Sequence, residues 1–275
     1  MAGRKNLSLN LARSVTAPWA WALLGAVCGS LLAAGMHMPA KVLAWGLDRL
    51  THGQVQLQEV SGTLWAGSAR LVLTGGAGSR DGLALPGTMD WSLKLSGQGV
   101  QMTLRSSCCM PQGLVVGFAP SLDLQRWQLR LSDHRSQWPA SVLSGLGAPW
   151  NTLQPEGMLV LQTEQLLVQA AAGQTQLQGR LQVTAENVTS KLSTLRPMGT
   201  YQILLGGSAT PTSTPALTLQ TQSGSLLLSG QGQWQGSRLR FQGEAMAVPE
   251  HAAALSNLLN IIGRRQGARS LLSLG

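Results

Sequence analysis

Apolar and polar residues alternate with a period of two again and again beyond residue 50, and this pattern predicts a mainly β protein. Trp91, Leu93 and Leu95 alternate with Ser92, Lys94 and Ser96, and Val100, Met102 and Leu104 with Gln101, Thr103 and Arg105. The pattern returns at Trp127, Leu129 and Leu131, at Leu181 and Val183, and at Leu217 and Leu219. One apolar and one neutral-polar face suits antiparallel strands packed on one side. Gly-containing breaks separate the runs at hairpin distances. The expected architecture is an extended antiparallel sheet, rolled into a half-pipe or doubled into a sandwich.

Trp65-Ala66-Gly67-Ser68 and Trp234-Gln235-Gly236-Ser237 form a weak internal repeat. Both read as a strand end, a Gly-Ser turn and a new strand. The runs Gly75-Gly76-Ala77-Gly78 and Gly230-Gln231-Gly232 also read as turns, and the stretch from Gly206 to Pro215 as a long loop.

A different period appears in three short stretches. Leu43, Leu47 and Leu50 give a short helix over Lys41 to Leu50. Pro139 favours a helix start, with Ser141 to Leu146 as its body and Gly147 and Pro149 ending it. Pro249 and Glu250 open another helix whose Leu255, Leu258, Leu259 and Ile262 lie at i, i+3, i+4 and i+7, with Gly263 at the stop. Ala268 to Leu274 reads as a final strand.

The segment from Ser14 to Met36 has no charged residue and is rich in Trp, Leu and Ala. As a helix it covers about 30 Å, the thickness of a hydrocarbon core. Arg4, Lys5 and Arg13 precede it with no acidic residue among them, so the positive-inside rule keeps the N-terminus cytoplasmic. The expected organisation is a cytoplasmic tail over 1–13, a transmembrane helix over 14–38 and an exported, periplasmic β-rich domain over 39–275. The competing reading is a cleaved signal peptide with Ala33, Ala34 and Gly35 as the processing site; the apolar run is longer than the core of such a peptide.

Of the net charge of +9, Arg4, Lys5 and Arg13 belong to that tail, and the remaining Lys and Arg are scattered along the strands. No basic stripe interleaves with aromatics, which argues against nucleic-acid binding. Arg264, Arg265 and Arg269 form one late cluster, read as a solvated turn. No Gly-x-Ser-x-Gly occurs. Asp133 and His134 are neighbours whose side chains a strand sends to opposite faces. His37, His52 and His251 have no metal-ligand spacing. The Gly-rich runs match no phosphate-binding loop. No catalytic, metal or cofactor site is expected. Cys108 and Cys109 are the one unusual reactive pair: an oxidising compartment allows a vicinal disulfide, and strand alternation allows two separate thiols.

Three stretches are too particular for generic turns. They are Val60 to Ser68 with Trp65 and Gly67, Trp138 to Gly157 with Pro139, Gly147, Pro149 and Trp150, and Leu255 to Leu274. Their combination resembles protein N of the bacterial type II secretion system, also called general secretion pathway protein N. The resemblance implies a non-enzymatic, inner-membrane-anchored accessory or scaffolding component with a periplasmic domain and no cofactor. Its partners would be other secretion components, met through sheet edges or the surface around Trp150, although a buried structural role suits that residue better. The alternative is an AsmA-like envelope protein that handles lipid along an apolar sheet groove.

Overall fold

The computed structural model describes residues 19–76, 78–79, 82–97, 99–121, 126–171, 174–207, 215–235 and 238–274. Residues 1–18, and so the cytoplasmic tail and the start of the apolar run, lie outside the described residues, as do Ala77, Gly236, Ser237 and most of the expected loop between Gly207 and Pro215. The chain divides into two units, Met1–Met38 and Pro39–Gly275.

The first unit contains helix α1, Trp19–Met36, an apolar helix exposed along nearly its whole length. By length and composition it can cross a membrane.

The second unit opens with α2, Lys41–Leu50. Strands β1 (Val55–Gly62), β2 (Ala66–Thr74), β3 (Gly82–Ala84), β4 (Met89–Ser96), β5 (Gly99–Ser106), β6 (Met110–Pro120), β7 (Trp127–Leu131) and β8 (His134–Pro139) follow. A 3-10 helix, Ala140–Leu146, and α3, Trp150–Leu153, lead into the long hairpin of β9 (Glu156–Ala171) and β10 (Gln174–Thr189). Then come β11 (Gly199–Gly207), β12 (Ala216–Gly224), β13 (Leu226–Gln235) and β14 (Arg238–Ala247). A second 3-10 turn at Pro249–His251 runs into α4, Ala252–Ile262, before β15 (Arg264–Gln266) and β16 (Arg269–Leu274).

Among the described residues all sixteen strands form one antiparallel sheet in the order β1-β2-β4-β5-β6-β7-β9-β10-β11-β12-β13-β14-β16-β15, with β3 on β2 and β8 on β9. It is one large open sheet, not closed on itself. Strand follows strand because most connections are short, and neighbours in sequence then pair most readily as hairpins.

Register keeps one face apolar from strand to strand. Trp91 pairs with Leu104, Leu93 with Met102 and Leu95 with Val100. Met102 then opposes Val116, and Val100 opposes Phe118, followed by Leu129 and Val168 in turn. Beyond the long hairpin the run continues through Leu181, Leu205 and Leu217, and through Val183, Ile203 and Leu219. Three residues with positive φ, Glu59, Gln165 and Asn187, sit at register shifts in β1, β9 and β10. At each the spacing of inward-facing positions lengthens from two to three: Leu57 to Val60, the buried Thr163 to Leu166, and Ala185 to Val188. The extra residue bulges out, and the apolar set stays on its face.

Helices cover this face only in places. Ala40 and Leu43, at the start of α2, pack with Leu57, Ala69, Trp91 and Leu104. Val142 of the first 3-10 helix packs on Leu85 and Cys109, beside Leu73 and Trp138. Leu73 of β2 and Trp138 of β8 lie four strand steps apart, roughly 19 Å in a flat sheet, yet both meet this small cluster; the apolar face is therefore concave there. Leu255, Leu258 and Leu259 of α4 are buried on Met198, Tyr201, Leu226 and Ala245.

Several expectations are corrected. Gly67 and Ser68 lie within β2, and the turn is at Thr63 to Trp65. Gly230 and Gly232 lie within β13, where Phe241 of β14 packs over them. A Cβ at 230 would stand 2.4 Å from Phe241 Cζ, so the missing side chain makes room for a ring rather than a bend. Leu50 is 81% exposed and does not share the packed face of Leu43. Arg264 and Arg265 belong to the short edge strand β15 rather than a turn.

Candidate functional site

The three distinctive stretches each sit where a connection meets the sheet. At the first, the Trp91 indole lies against Gly67, where a Cβ would come within 2.5 Å of both Trp91 Cζ2 and the Ser61 carbonyl oxygen. Trp91 Nε1 donates to the Leu64 carbonyl at 3.1 Å, and the Leu93 N–H donates to that of Trp65 at 2.6 Å. The Ala40 N–H, just before α2, donates to the Gly62 carbonyl at 3.2 Å. Trp65, half-buried, thus belongs to a corner that fastens α2 and β4 to the β1–β2 turn.

At the second, Pro139 closes β8 and the 3-10 helix crosses to β2 and β3. Gly145 lies against them so closely that a Cβ would be 2.4 Å from the Leu73 carbonyl oxygen. Gly147, at φ 77°, is buried against Gly75. A cis Ala148–Pro149 bond leads into α3. Leu153, at its end, packs with the α4 cluster, and its carbonyl accepts the Ser190 hydroxyl at 2.5 Å. This stretch therefore links two cores. Trp150 is 38% exposed, so the expected buried role gives way to a surface one.

At the third, the buried Ser270 hydroxyl donates to the Leu259 carbonyl at 2.5 Å, tying β16 to α4. Gly263 brings the chain against Leu271, leaving no room for a side chain.

Cys108 and Cys109 form the turn between β5 and β6 and are joined Sγ to Sγ. Cys108 is exposed, with its sulfur 3.3 Å from Ser106 Oγ. Cys109 is buried under Val142, and its carbonyl accepts the Gln137 N–H at 3.0 Å.

No catalytic constellation forms among the described residues. Asp133 is exposed and accepts the Gln165 N–H at 2.5 Å. His134 pairs across the sheet with Thr163 and keeps a buried Nε2 that makes no hydrogen bond. Burial lowers its pKa, since the charged ring loses water there. The Tyr201 hydroxyl, over Gly199, is likewise buried without a partner, and desolvation raises its pKa. Two open depressions flank β9 and β6: one is lined by Asp133, Glu164 and Arg180, the other by Gln101, Gly117 and Arg130. Neither joins a nucleophile to a base. No group of three His, Cys, Asp or Glu among the described residues is placed to hold a metal ion.

The family model for type II secretion system protein N matches residues 53–271. The chain belongs to that family. The match begins just before β1 and ends within β16, so protein N of type II secretion is here the sheet with its crossing helices. It contains the first two distinctive stretches and nearly all of the third. The family is a component of a secretion system, and its distinctive Gly, Pro and Trp positions serve in this chain to seat helices and neighbouring strands. No curated protein and no solved structure matches the chain.

Outside the matched region, periodicity reasoning passed over Trp45 and Arg49. The signal was there: Val42, Trp45 and Arg49 recur at i, i+3 and i+7 on the side of α2 opposite Leu43 and Leu47.

Proposed function

We propose that this chain is a non-enzymatic accessory or scaffolding component of type II secretion, anchored in the bacterial inner membrane by the segment around α1. Its N-terminus is cytoplasmic and its sheet periplasmic. The family match over 53–271 carries this reading, and the exposed apolar α1 before it supports the anchor. Partners are other envelope-spanning components of the machine, met at the edges of β1 and β15 or around the exposed Trp150. Short or bulged edge strands admit pairing with a partner while limiting self-association. Nucleic acid and cofactors have no part in it.

A second reading has its own observation. The apolar face runs through the sheet, and Leu95, Phe118 and Ile203 on it are 70%, 42% and 38% exposed. Such a face suits acyl chains and supports envelope lipid handling.

Both readings are tested by in-cell crosslinking of tagged full-length protein, gentle detergent extraction and mass spectrometry of proteins and lipids. Secretion components in the eluate, and lost exoprotein release in a deletion strain, are the expected result. Stoichiometric lipid without those components transfers the assignment to lipid handling. Unchanged release together with unchanged composition of the secretion complex sinks the first reading.

A further inference from the structure

α2 turns two unlike faces outward and inward. Its start packs on the sheet through Ala40 and Leu43. The opposite face carries Lys41, Val42, Trp45 and Arg49, all exposed. At 3.6 residues per turn these four fall within about a third of the helix circumference. Trp45 is 62% exposed, and the Arg49 guanidinium stands 5.2 Å from its ring centroid. Asp48, the one carboxylate of the helix, borders this face one position round from Lys41 and is half-buried.

We propose that this face of α2 docks on anionic phospholipid headgroups of the membrane that α1 enters. The inference rests on the anchored reading above. Three observations select a bilayer surface as the occupant. Only four residues, His37 to Ala40, join α1 to α2, so the start of α2 stays within roughly 17 Å of the end of α1 even with that segment fully extended. The face holds two exposed cations against one half-buried carboxylate at its edge, a net positive surface complementary to an anionic one. Trp45 sits between the cations beside Val42, and an indole with an apolar body and a polar N–H is favoured at headgroup level. An amphipathic helix of this make lies in the plane of the interface.

The test uses full-length protein carrying Cys28→Ser and Val42→Cys, labelled with the fluorophore NBD without reductant. The protein is reconstituted into phosphatidylcholine vesicles with or without phosphatidylglycerol and a headgroup-proximal doxyl-lipid quencher. Gln128→Cys, exposed on β7, serves as the reference position, and Cys28→Ser alone sets the labelling background. Expected are a blue-shifted emission and strong quenching at position 42 in the phosphatidylglycerol vesicles, with neither at position 128. Lys41→Gln with Arg49→Gln then lowers the docked-to-undocked ratio roughly thirtyfold, at about 1 kcal/mol per cation and 1.4 kcal/mol per tenfold. An unquenched label at position 42 on protein that resists carbonate extraction overturns the docking and leaves the anchor standing. Quenching equal in pure phosphatidylcholine and unaffected by the double variant overturns the assignment to anionic headgroups. Extraction by carbonate overturns the anchor and this inference together.

Discussion

Gln165 and Gly179 face each other across the long hairpin, and each is fixed by a different constraint. Gln165 has φ 46°, a conformation that costs a residue with a side chain about 1–2 kcal/mol. Its side chain is exposed and fills nothing. Gln165→Gly should therefore raise stability by about 1 kcal/mol in urea unfolding, less the extra entropy of the unfolded glycine. Gly179 has φ 85°, and a Cβ there would lie 2.3 Å from the Gln165 carbonyl oxygen, a backbone atom that cannot swing aside. Gly179→Ala should destabilise in the same assay, by more than Gln165→Gly gains. At the β5–β6 turn, protein purified without reductant should lack two hydrogens by intact mass and alkylate at Cys28 alone. Alkylation at both Cys108 and Cys109 would show two separate thiols. His134 adds a pH dependence. Burial lowers its folded pKa below the unfolded value near 6.5, so the unfolded chain binds more protons in that window and stability falls as pH drops below about 6.5. His134→Gln should flatten this part of a pH series of thermal melts.

At the scale of elements, strand alternation was readable because its period of two survives in every strand that carries it. The helices over Lys41–Leu50 and Leu255–Ile262 were readable for the same reason at period 3.6. The bulges were hidden, although their mark is in the sequence: Leu57 to Val60, Thr163 to Leu166 and Ala185 to Val188 are three-residue steps inside two-residue patterns. Gly67 and Gly230 were misread because a glycine that opens a turn and one that admits a neighbouring ring look alike until the partner strand is known. Trp91 and Phe241 lie 24 and 11 residues away from them in the chain, beyond any local pattern. The exposure of Trp150 was hidden likewise, since only the docking of the preceding 3-10 helix on β2 and β3 decides which way α3 turns. The α4 helix permits a clean test of what covers the sheet. Leu255 and Leu259 are essentially fully buried, and Leu259 also accepts the Ser270 hydroxyl through its carbonyl. Leu259→Ala should cost about 2–5 kcal/mol, seen as a lower Tm with unchanged far-ultraviolet circular dichroism at 20 °C, because the cavity opens between helix and sheet. The loss would be far smaller were the helix only loosely laid on the strands.

For the whole molecule, the question is what the apolar face meets between its helical covers. The path of fourteen strands is about 65 Å wide at 4.8 Å per strand. Its three packed clusters lie under α2, under the 3-10 helix and under α4. Between them Phe118 and Ile203 remain exposed, with half-buried Leu129, Val168 and Val183 on the strands that separate them. Edge and face then make different demands on a partner. An edge offers unpaired backbone N–H and C=O groups and recruits another strand, whereas the face offers only side-chain carbon. A photoactivatable residue in place of Phe118 or Ile203 should therefore couple to acyl chains if the face is a lipid groove. The same residue at Arg265, on the edge strand β15, should couple to protein if the sheet is a scaffold extended by its partners. Gln101 and Arg130, on the polar face of the same strands as Val100 and Leu129, are the controls and should couple to neither. Protein adducts at Phe118 and none at Arg265 would reverse the assignment of face and edge, because the secretion partner would then fill the groove and the scaffold would be built through side chains rather than strand pairing.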